Sequence, residues 1–420
     1  MTAENISRKR RTPTLDVGGL AFAFLWLLIF CVPWEEEFAV AKGIALSHVV
    51  GAGASVAGVF AALVSSRVRK LHPVHYLLGA LVLWIVASYL WSYAPDATIT
   101  KAGSSAQLLL MAWLIWEFAS TESRQRSLLA GYVLGSYVSA TSVLFAFITH
   151  SGSNLGLVEG RYTATGFDEN ELGVTLALAL VMSCYLLALN QRYQFVWLLH
   201  IPVSILAICL TGSRGAFLAI GVAAIIIPFS LAALDKRKRW IVLSALIIFL
   251  GVVLAVIPKA SWQRIGTIHS EFAEGTLTNR TRIWAAGLEV YREHPIVGVG
   301  SGAFGESVYS RLDIPYVAHN SYLSILVELG AIGATLFASV LCALFYLTNT
   351  LPKLQRRVWL IMLLTWCVAI SSLTWEHRKP TWFLFGLLIS QSAALECRAG
   401  SPAFSRNRTR VGTMSEVTPF

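Results

Sequence analysis

Four short polar blocks interrupt an otherwise apolar sequence, and each carries residues able to hold an anion or move a proton. They are Gly160-Arg161-Tyr162-Thr163-Ala164-Thr165-Gly166-Phe167-Asp168-Glu169-Asn170, Thr211-Gly212-Ser213-Arg214-Gly215, the pair Arg280 and Arg282, and His319-Asn320. Arginine keeps its charge at any physiological pH and offers a planar fork of donors that fits phosphate oxygens. Histidine titrates near neutrality and can take a proton from a hydroxyl as a general base. Each residue alone also has a plainer reading: an arginine at a membrane edge touches headgroups, and a histidine at a helix start caps it. Arg214 is less plain, because small neighbours and two apolar runs flank it, and an ionisable residue so placed points to function. Glu328, deeper in the run that follows His319, either pairs with an arginine or holds helices together.

The elements that position these blocks follow from composition. The chain has 420 residues, is 56% hydrophobic and 13% charged, and has a mean hydropathy of +0.64. Soluble domains carry about 25% charged residues, so an ordinary cytosolic enzyme, a disordered chain and a nucleic-acid-binding domain are excluded. The net charge of +10 is therefore read for its placement along the chain rather than as a nucleic-acid footprint. A spanning helix needs about 20 largely apolar residues. On that basis the fold class is an all-α polytopic membrane protein with about twelve transmembrane helices. Their spans are 18–34, 42–64, 74–93, 100–118, 127–149, 171–190, 195–212, 215–234, 239–257, 320–348, 357–375 and 380–396.

Basic residues concentrate in alternate connections: Arg8 to Arg11, Arg67/Arg69/Lys70, Arg124/Arg126, Arg192, Lys236 to Arg239, Lys353/Arg356/Arg357 and the tail arginines from Arg398. The positive-inside rule makes these connections and both termini cytoplasmic. All four polar blocks then face outward. Ala39-Val40-Ala41 mimics a signal-peptide cleavage site, but Trp34 and Glu35-Glu36-Glu37 precede it, and an uncleaved first span is expected. Trp34, Trp91, Tyr93, Trp375 and Trp382 lie near span ends and are expected in interfacial belts. The organisation is a basic N-terminus (1–17), helices over 18–257, an outer loop (258–318), helices over 319–396 and a disordered tail (397–420). A loop that long is usually functional or disordered, and its residues 279–293 have the pattern of an amphipathic helix. Ile283, Leu288 and Val290, with Trp284 and Tyr291, give it an apolar side expected to rest on the membrane surface, with Thr278 or Asn279 as cap.

Three familiar patterns fail. Gly300-Ser-Gly302-Ala-Phe-Gly305 matches G-x-G-x-x-G, but no strand precedes it and no Rossmann context exists. No cysteine–histidine cluster has metal-ligand spacing, and no nucleophile elbow stands in a hydrolase context.

Read together, the blocks resemble the bacterial O-antigen ligases and polymerases, with the related exopolysaccharide polymerases. The resemblance rests on Arg161-Tyr-Thr-Ala-Thr-Gly-Phe-Asp-Glu-Asn170, on Thr211-Gly-Ser-Arg-Gly-Ala216, and on Arg280-Thr-Arg-Ile-Trp284 followed by His294-Pro-Ile-Val-Gly-Val-Gly-Ser-Gly-Ala-Phe304. The last block, His319-Asn320 leading to Gly330-Ala-Ile-Gly333, is similar to the ligase pattern. Together they cover about residues 160–335. The resemblance implies a metal-independent, inverting glycosyltransferase of the bacterial inner membrane, working at the periplasmic face without a cofactor. The donor is a glycan on undecaprenyl diphosphate. The acceptor is lipid A-core for a ligase or a second lipid-linked glycan for a polymerase; the partners are these lipids and the membrane, with no nucleic acid. Carried over by position, Arg214 and Arg280 bind the diphosphate and stabilise it as leaving group, with Arg282 an alternative to Arg280 and Arg161 a third candidate. His319 activates the acceptor hydroxyl, with Asn320, Glu328 and Asn170 in support. A transporter or flippase of lipid-linked sugars would use the same arginines without chemistry, and tolerance of His319→Ala separates it from an enzyme.

Overall fold

Inside a bilayer no water satisfies the backbone, so long apolar runs must close their hydrogen bonds internally as helices. The computed structural model describes residues 16–41, 44–65, 68–150, 161–189, 193–226, 257–266 and 280–399, with isolated positions between 236 and 255. Its helices are α1 (Val17–Cys31), α2 (Leu46–Ser65), α3 (Pro73–Ala87), α4 (Pro95–Phe118), α5 (Glu122–Thr149), α6 (Glu169–Ala188) and α7 (Gln194–Thr211). They continue as α8 (Arg214–Ala223), α9 (Lys259–Gly266), α10 (Arg280–Glu293), α11 (Phe304–Leu312), α12 (Ser321–Thr348), α13 (Lys353–Ile370) and α14 (Lys379–Ala399). A two-stranded antiparallel ribbon, Ala39–Ala41 with Ile44–Ala45, is the minor departure from an all-helical chain.

Among the described residues seven helices are long and apolar enough to cross a membrane: α1, α2, α3, α5, α6, α7 and α12, the first and third counted with their terminal turns. The protein is a multi-pass membrane protein, but the expected count of twelve is not reached. Helices α4, α13 and α14 stand where spans were expected and are less apolar; Ser105 of α4 and Thr365 of α13 are buried in the protein. In α14, Ser390, Gln391 and Ser392 are all buried. The span expected at 239–257 and the second half of that at 215–234 lie largely outside the described residues, as do the N-terminus before 16 and the tail from 400.

The centre of the bundle is α6, buried along its length from Leu172 to Leu187 and packed against α5, α7, α8 and α13. A helix apolar all round belongs in an interior. Helices α2 and α3 instead carry exposed apolar side chains such as Phe60, Leu63 and Leu83, as a lipid-facing surface requires. Of the residues expected in an aromatic belt, Tyr93 is exposed and Trp91 half-buried, and the other three lie inside the protein. Trp34, Trp375 and Trp382 are buried, and the Trp382 indole donates to the Glu376 carbonyl at 3.0 Å. A buried indole needs a partner for its N–H, and for Trp382 the protein supplies it.

Helix α12 breaks at Gly330 (φ 65°, ψ −168°). The segment after α10 fills the break: Val299 and Gly300 donate to the carbonyls of Val327 and Glu328 at 3.1 and 2.9 Å, while Ala331 and Ile332 donate to Pro295 and Ile296 at 2.8 and 3.2 Å. The Trp84 indole takes the Leu329 carbonyl at 3.0 Å. The backbone groups freed by the kink therefore find partners in the protein. This clasp fixes α10, α11 and the first turns of α12 as one body.

Candidate active site

Gly212 (φ 59°) ends α7 in the left-handed conformation, and Ser213 caps α8 by accepting from the Ala216 amide at 3.2 Å. This reversal makes Arg214 the first residue of α8. The close crossing of α6 over α8 is set by Gly173, where an added Cβ would lie 2.4 Å from the Ala216 Cβ. Arg161 lies in the extended segment before α6. Its Nε donates to the Thr211 carbonyl at 2.9 Å and its guanidinium to Asn170 Oδ1 at 3.3 Å. It also pairs with Glu169 at 3.4 Å. Asp168 caps α6 by accepting from the Asn170 and Glu171 amides at 2.8 and 3.2 Å.

Arg280 opens α10, half-buried, while Arg282 points outward, exposed. Burial holds the Arg280 guanidinium below its ordinary value; the Asp168 carboxylate opposes this, and the like charges of Arg214 and Arg161 add to it. Among the described residues no carboxylate forms a salt bridge with Arg280. The groups that share its field are thus Asp168, Arg214 and Arg161, drawn from blocks far apart in sequence.

His319 completes the cluster. It precedes α12 with φ 47°, and Asn320 caps that helix by accepting from the Leu323 amide at 3.1 Å. Burial pushes the imidazole below its ordinary value, the Arg280 charge pushes it further, and Asp168 opposes both. A histidine lowered in this way is neutral at physiological pH and free to accept a proton. Arg280 thus shares its field with two further guanidiniums and with the His319 imidazole, the residue types needed to hold an anion next to a base.

Residues of all four blocks therefore lie within one another's fields; of the two readings of Glu328 the one that holds helices together fits, and the expectation for α10 changes. Glu328 pairs with Lys101 at 3.0 Å rather than with an arginine, and its Oε2 accepts from the Gly302 amide at 2.7 Å. The amphipathic helix α10 does not rest its apolar side on the membrane: Ile283, Ala286 and Val290 pack with Phe304 and Val308 of α11 and Leu323 and Val327 of α12, while Leu288 is exposed. Its proposed caps, Thr278 and Asn279, lie outside the described residues. The glycines of 298–302 wedge the loop against α12 and α4; an added Cβ on Gly300 would sit 2.4 Å from Ser92 Oγ.

Sequence reasoning missed the turn 371–378. Glu376 sits 3.8 Å from Lys101 and 3.3 Å from His377. Burial raises its carboxyl, but His377, Lys101 and the Ser321 hydroxyl outweigh this and bring it to about 2. Arg378 pairs with Glu171 of α6 at 2.6 Å, and Lys379 with Glu35. The Ser321 hydroxyl, two residues after His319, donates to the Leu373 carbonyl at 2.9 Å and accepts from the Trp375 amide at 2.8 Å. The turn thereby ties the histidine's helix to α4 and α6. Among the described residues no three His, Cys, Asp or Glu side chains gather to hold a metal ion.

Residues 200–338 match the O-antigen ligase family, a stretch that includes Arg214, Arg280 and His319. The exopolysaccharide production protein ExoQ of Rhizobium meliloti is 24% identical, over 63% of this chain and 64% of that protein. The chain thus spans just under two thirds of the length of this curated relative.

Proposed function

We propose, from the match of residues 200–338 to the O-antigen ligase family, that the chain transfers a glycan from undecaprenyl diphosphate to a sugar hydroxyl. The observation that carries this reading is that Arg280 shares a field with Arg161, Arg214 and Asp168 on one side and with His319 on the other. The guanidiniums hold the diphosphate while its lipid tail stays in the bilayer. His319 takes the proton of the acceptor hydroxyl, whose oxygen forms the new bond to the anomeric carbon as the bond to the diphosphate breaks. A single displacement inverts that carbon. The departing diphosphate gathers negative charge, and preorganised donors aimed at such charge are usually the largest catalytic contribution. The bond energy is already in the sugar diphosphate, so the step calls for neither a nucleotide nor a metal. With basic connections cytoplasmic, the chain sits in the bacterial inner membrane with both termini cytoplasmic and the site facing the periplasm.

The acceptor we assign first is lipid A-core, on the pattern His319-Asn320 to Gly330-Ala-Ile-Gly333. A second reading, a polymerase whose acceptor is another lipid-linked glycan, is favoured by the likeness to an exopolysaccharide production protein. The test is transfer by the purified protein in nanodiscs, given a lipid-diphosphate glycan and each acceptor separately. Product on lipid A-core supports the ligase, and elongated lipid-linked chains support the polymerase. No product with either, in protein that binds the donor, overturns both in favour of a transporter.

A further inference from the structure

Helix α10 has its charges placed along the backbone dipole rather than against it. Arg280 and Arg282 occupy its first turn, where there is no acidic side chain, and Glu289 and Glu293 lie toward its end, beside the single basic residue Arg292. A helix N-terminus is already partially positive and a C-terminus partially negative, so stability alone favours the reverse order. One end of α10 is thereby made attractive to an anion and the other is not. Locally unfavourable choices of this kind are expected where function requires them.

At the second end a cleft of about 620 Å³ opens between α10 and α11, lined by Tyr93, Glu293, Glu306, Ser307, Ser310 and Arg311. Its polar groups are held in place. Arg311 forms ion pairs with both Glu289 and Glu293. The Tyr93 hydroxyl is 2.7 Å from His294 Nε2, and its ring, 52% exposed, stands edge-on to that imidazole. Among the described residues the Glu306 and Ser310 side chains make no hydrogen bond, which leaves them to the cleft.

Fixed carboxylate acceptors, a braced guanidinium, a free hydroxyl and a half-exposed aromatic ring are what a hydroxyl-rich ring needs. Vicinal hydroxyls donate to the carboxylates and accept from Arg311, and the apolar face of the sugar lies on Tyr93. A phosphate is disfavoured by the two carboxylates that line the cleft, Glu293 and Glu306, and an acyl chain by the polar lining. Position agrees: at 1.5 Å per residue, α10 sets Glu293 about 20 Å from Arg280, and α11 leads through 313–318 to His319. We propose that this cleft binds the neutral glycan carried by the diphosphate, several sugars away from the reacting bond. The assignment rests on the glycan-transfer reading above and adds to it the subsite that grips the chain.

The test uses the full chain in nanodiscs and, as probe, the oligosaccharide freed by mild acid from the lipid-linked pool of the bacterium that makes this protein. The wild type binds it, and Glu306→Ala and Tyr93→Ala each weaken binding about tenfold, equivalent to about 1.4 kcal/mol. In transfer, both raise KM for the lipid-linked glycan while kcat stays within about twofold, and a lipid-linked monosaccharide is used as by the wild type. Ser310→Ala, a smaller change on the exposed side of α11, moves binding in the same direction, so misfolding does not explain the result. Absence of oligosaccharide binding by the wild type, or equal binding by wild type and variants, overturns the cleft. Transfer that depends on Arg280 but ignores the cleft variants also overturns it while leaving the transfer reading intact. Binding lost in the cleft variants of a protein that transfers nothing supports the cleft and overturns the transfer reading instead.

Discussion

Gly298 and Gly330 meet so closely that a Cβ added to either would lie 2.6 Å from the backbone nitrogen of the other. Both have positive φ, 71° and 65°. Their contact locks the loop after α10, the helix that Arg280 opens, into the break in α12, the helix that His319 precedes.

Replacing Gly330 with alanine therefore carries two penalties. The left-handed backbone costs a side chain about 1–3 kcal/mol, and the new Cβ meets the Ile296 carbonyl oxygen at 2.3 Å. Gly330→Ala and Gly298→Ala should both lower the thermal midpoint of the detergent-solubilised protein and abolish transfer. Gly79→Ala in α3, where an added Cβ meets nothing within 4 Å, should do neither.

Arg280 shares a field with Asp168, Arg214 and Arg161, whereas Arg282 is exposed. Arg280→Ala is expected to cut transfer about 10²–10³-fold, the usual loss for one preorganised donor to developing charge. Arg280→Lys should recover part of it, because lysine restores the charge without the two-pronged fork. Arg282→Ala should act near the wild-type level. Initial rates at saturating acceptor decide the matter, and the opposite ranking would transfer the role to Arg282.

The imidazole of His319 is lowered by burial and by Arg280, so the neutral base persists below the ordinary histidine value of about 6.5. The rate profile should be flat from neutrality down to an apparent pKa below 6.5 and then fall. Asp168 acts in the opposite direction, so Asp168→Asn should move the break to still lower pH. The unfolded chain takes up this proton at higher pH than the folded one, so the related stability is present above about pH 6.5 and is lost as pH falls toward the folded value. A break at or above 6.5, or one that rises in Asp168→Asn, would contradict this placement.

Lys101 holds Glu328 at 3.0 Å and Glu376 at 3.8 Å, with all three side chains less than one-fifth exposed. Lys101→Met leaves both carboxylates in a poorly hydrated setting without their cation, a change that costs about 3–5 kcal/mol for a broken buried pair. Thermal unfolding in detergent should register the loss, and adding Glu328→Gln should recover part of it. An unchanged midpoint in Lys101→Met would show that these charges contribute nothing to the bundle.

Much of this arrangement is legible in the sequence. Runs such as 171–190 and 320–348 announce helices through apolar length alone, and the structure begins and ends them within a few residues of the expected positions. The four polar blocks also announce themselves, because charge is rare in such a chain. The turn 371–378 does not, since Leu373 and Trp375 prolong the apolar pattern of α13 while the chain has already left the helix at Ile370. Its partners Lys101, Glu171 and Ser321 are distant in sequence, and no local rule joins them. Periodicity likewise fails to choose between Arg280 and Arg282: one precedes buried Ile283 and Gly287, the other buried Ala286. The apolar side of α10 is plain from spacing, but whether it meets lipid or protein depends on α11 and α12, which only the folded chain brings beneath it.

If His319 performs chemistry on a substrate that the arginines hold, its side chain is needed for turnover and not for donor binding. The direct measurement compares His319→Ala with wild type in two assays on the same nanodisc preparation, binding of the lipid-diphosphate glycan and its transfer. His319→Ala should keep donor affinity within about threefold of wild type, a difference under 1 kcal/mol, and lose transfer. Transfer that survives in His319→Ala, or donor binding that falls in step with it, would contradict the assignment of His319 as the base.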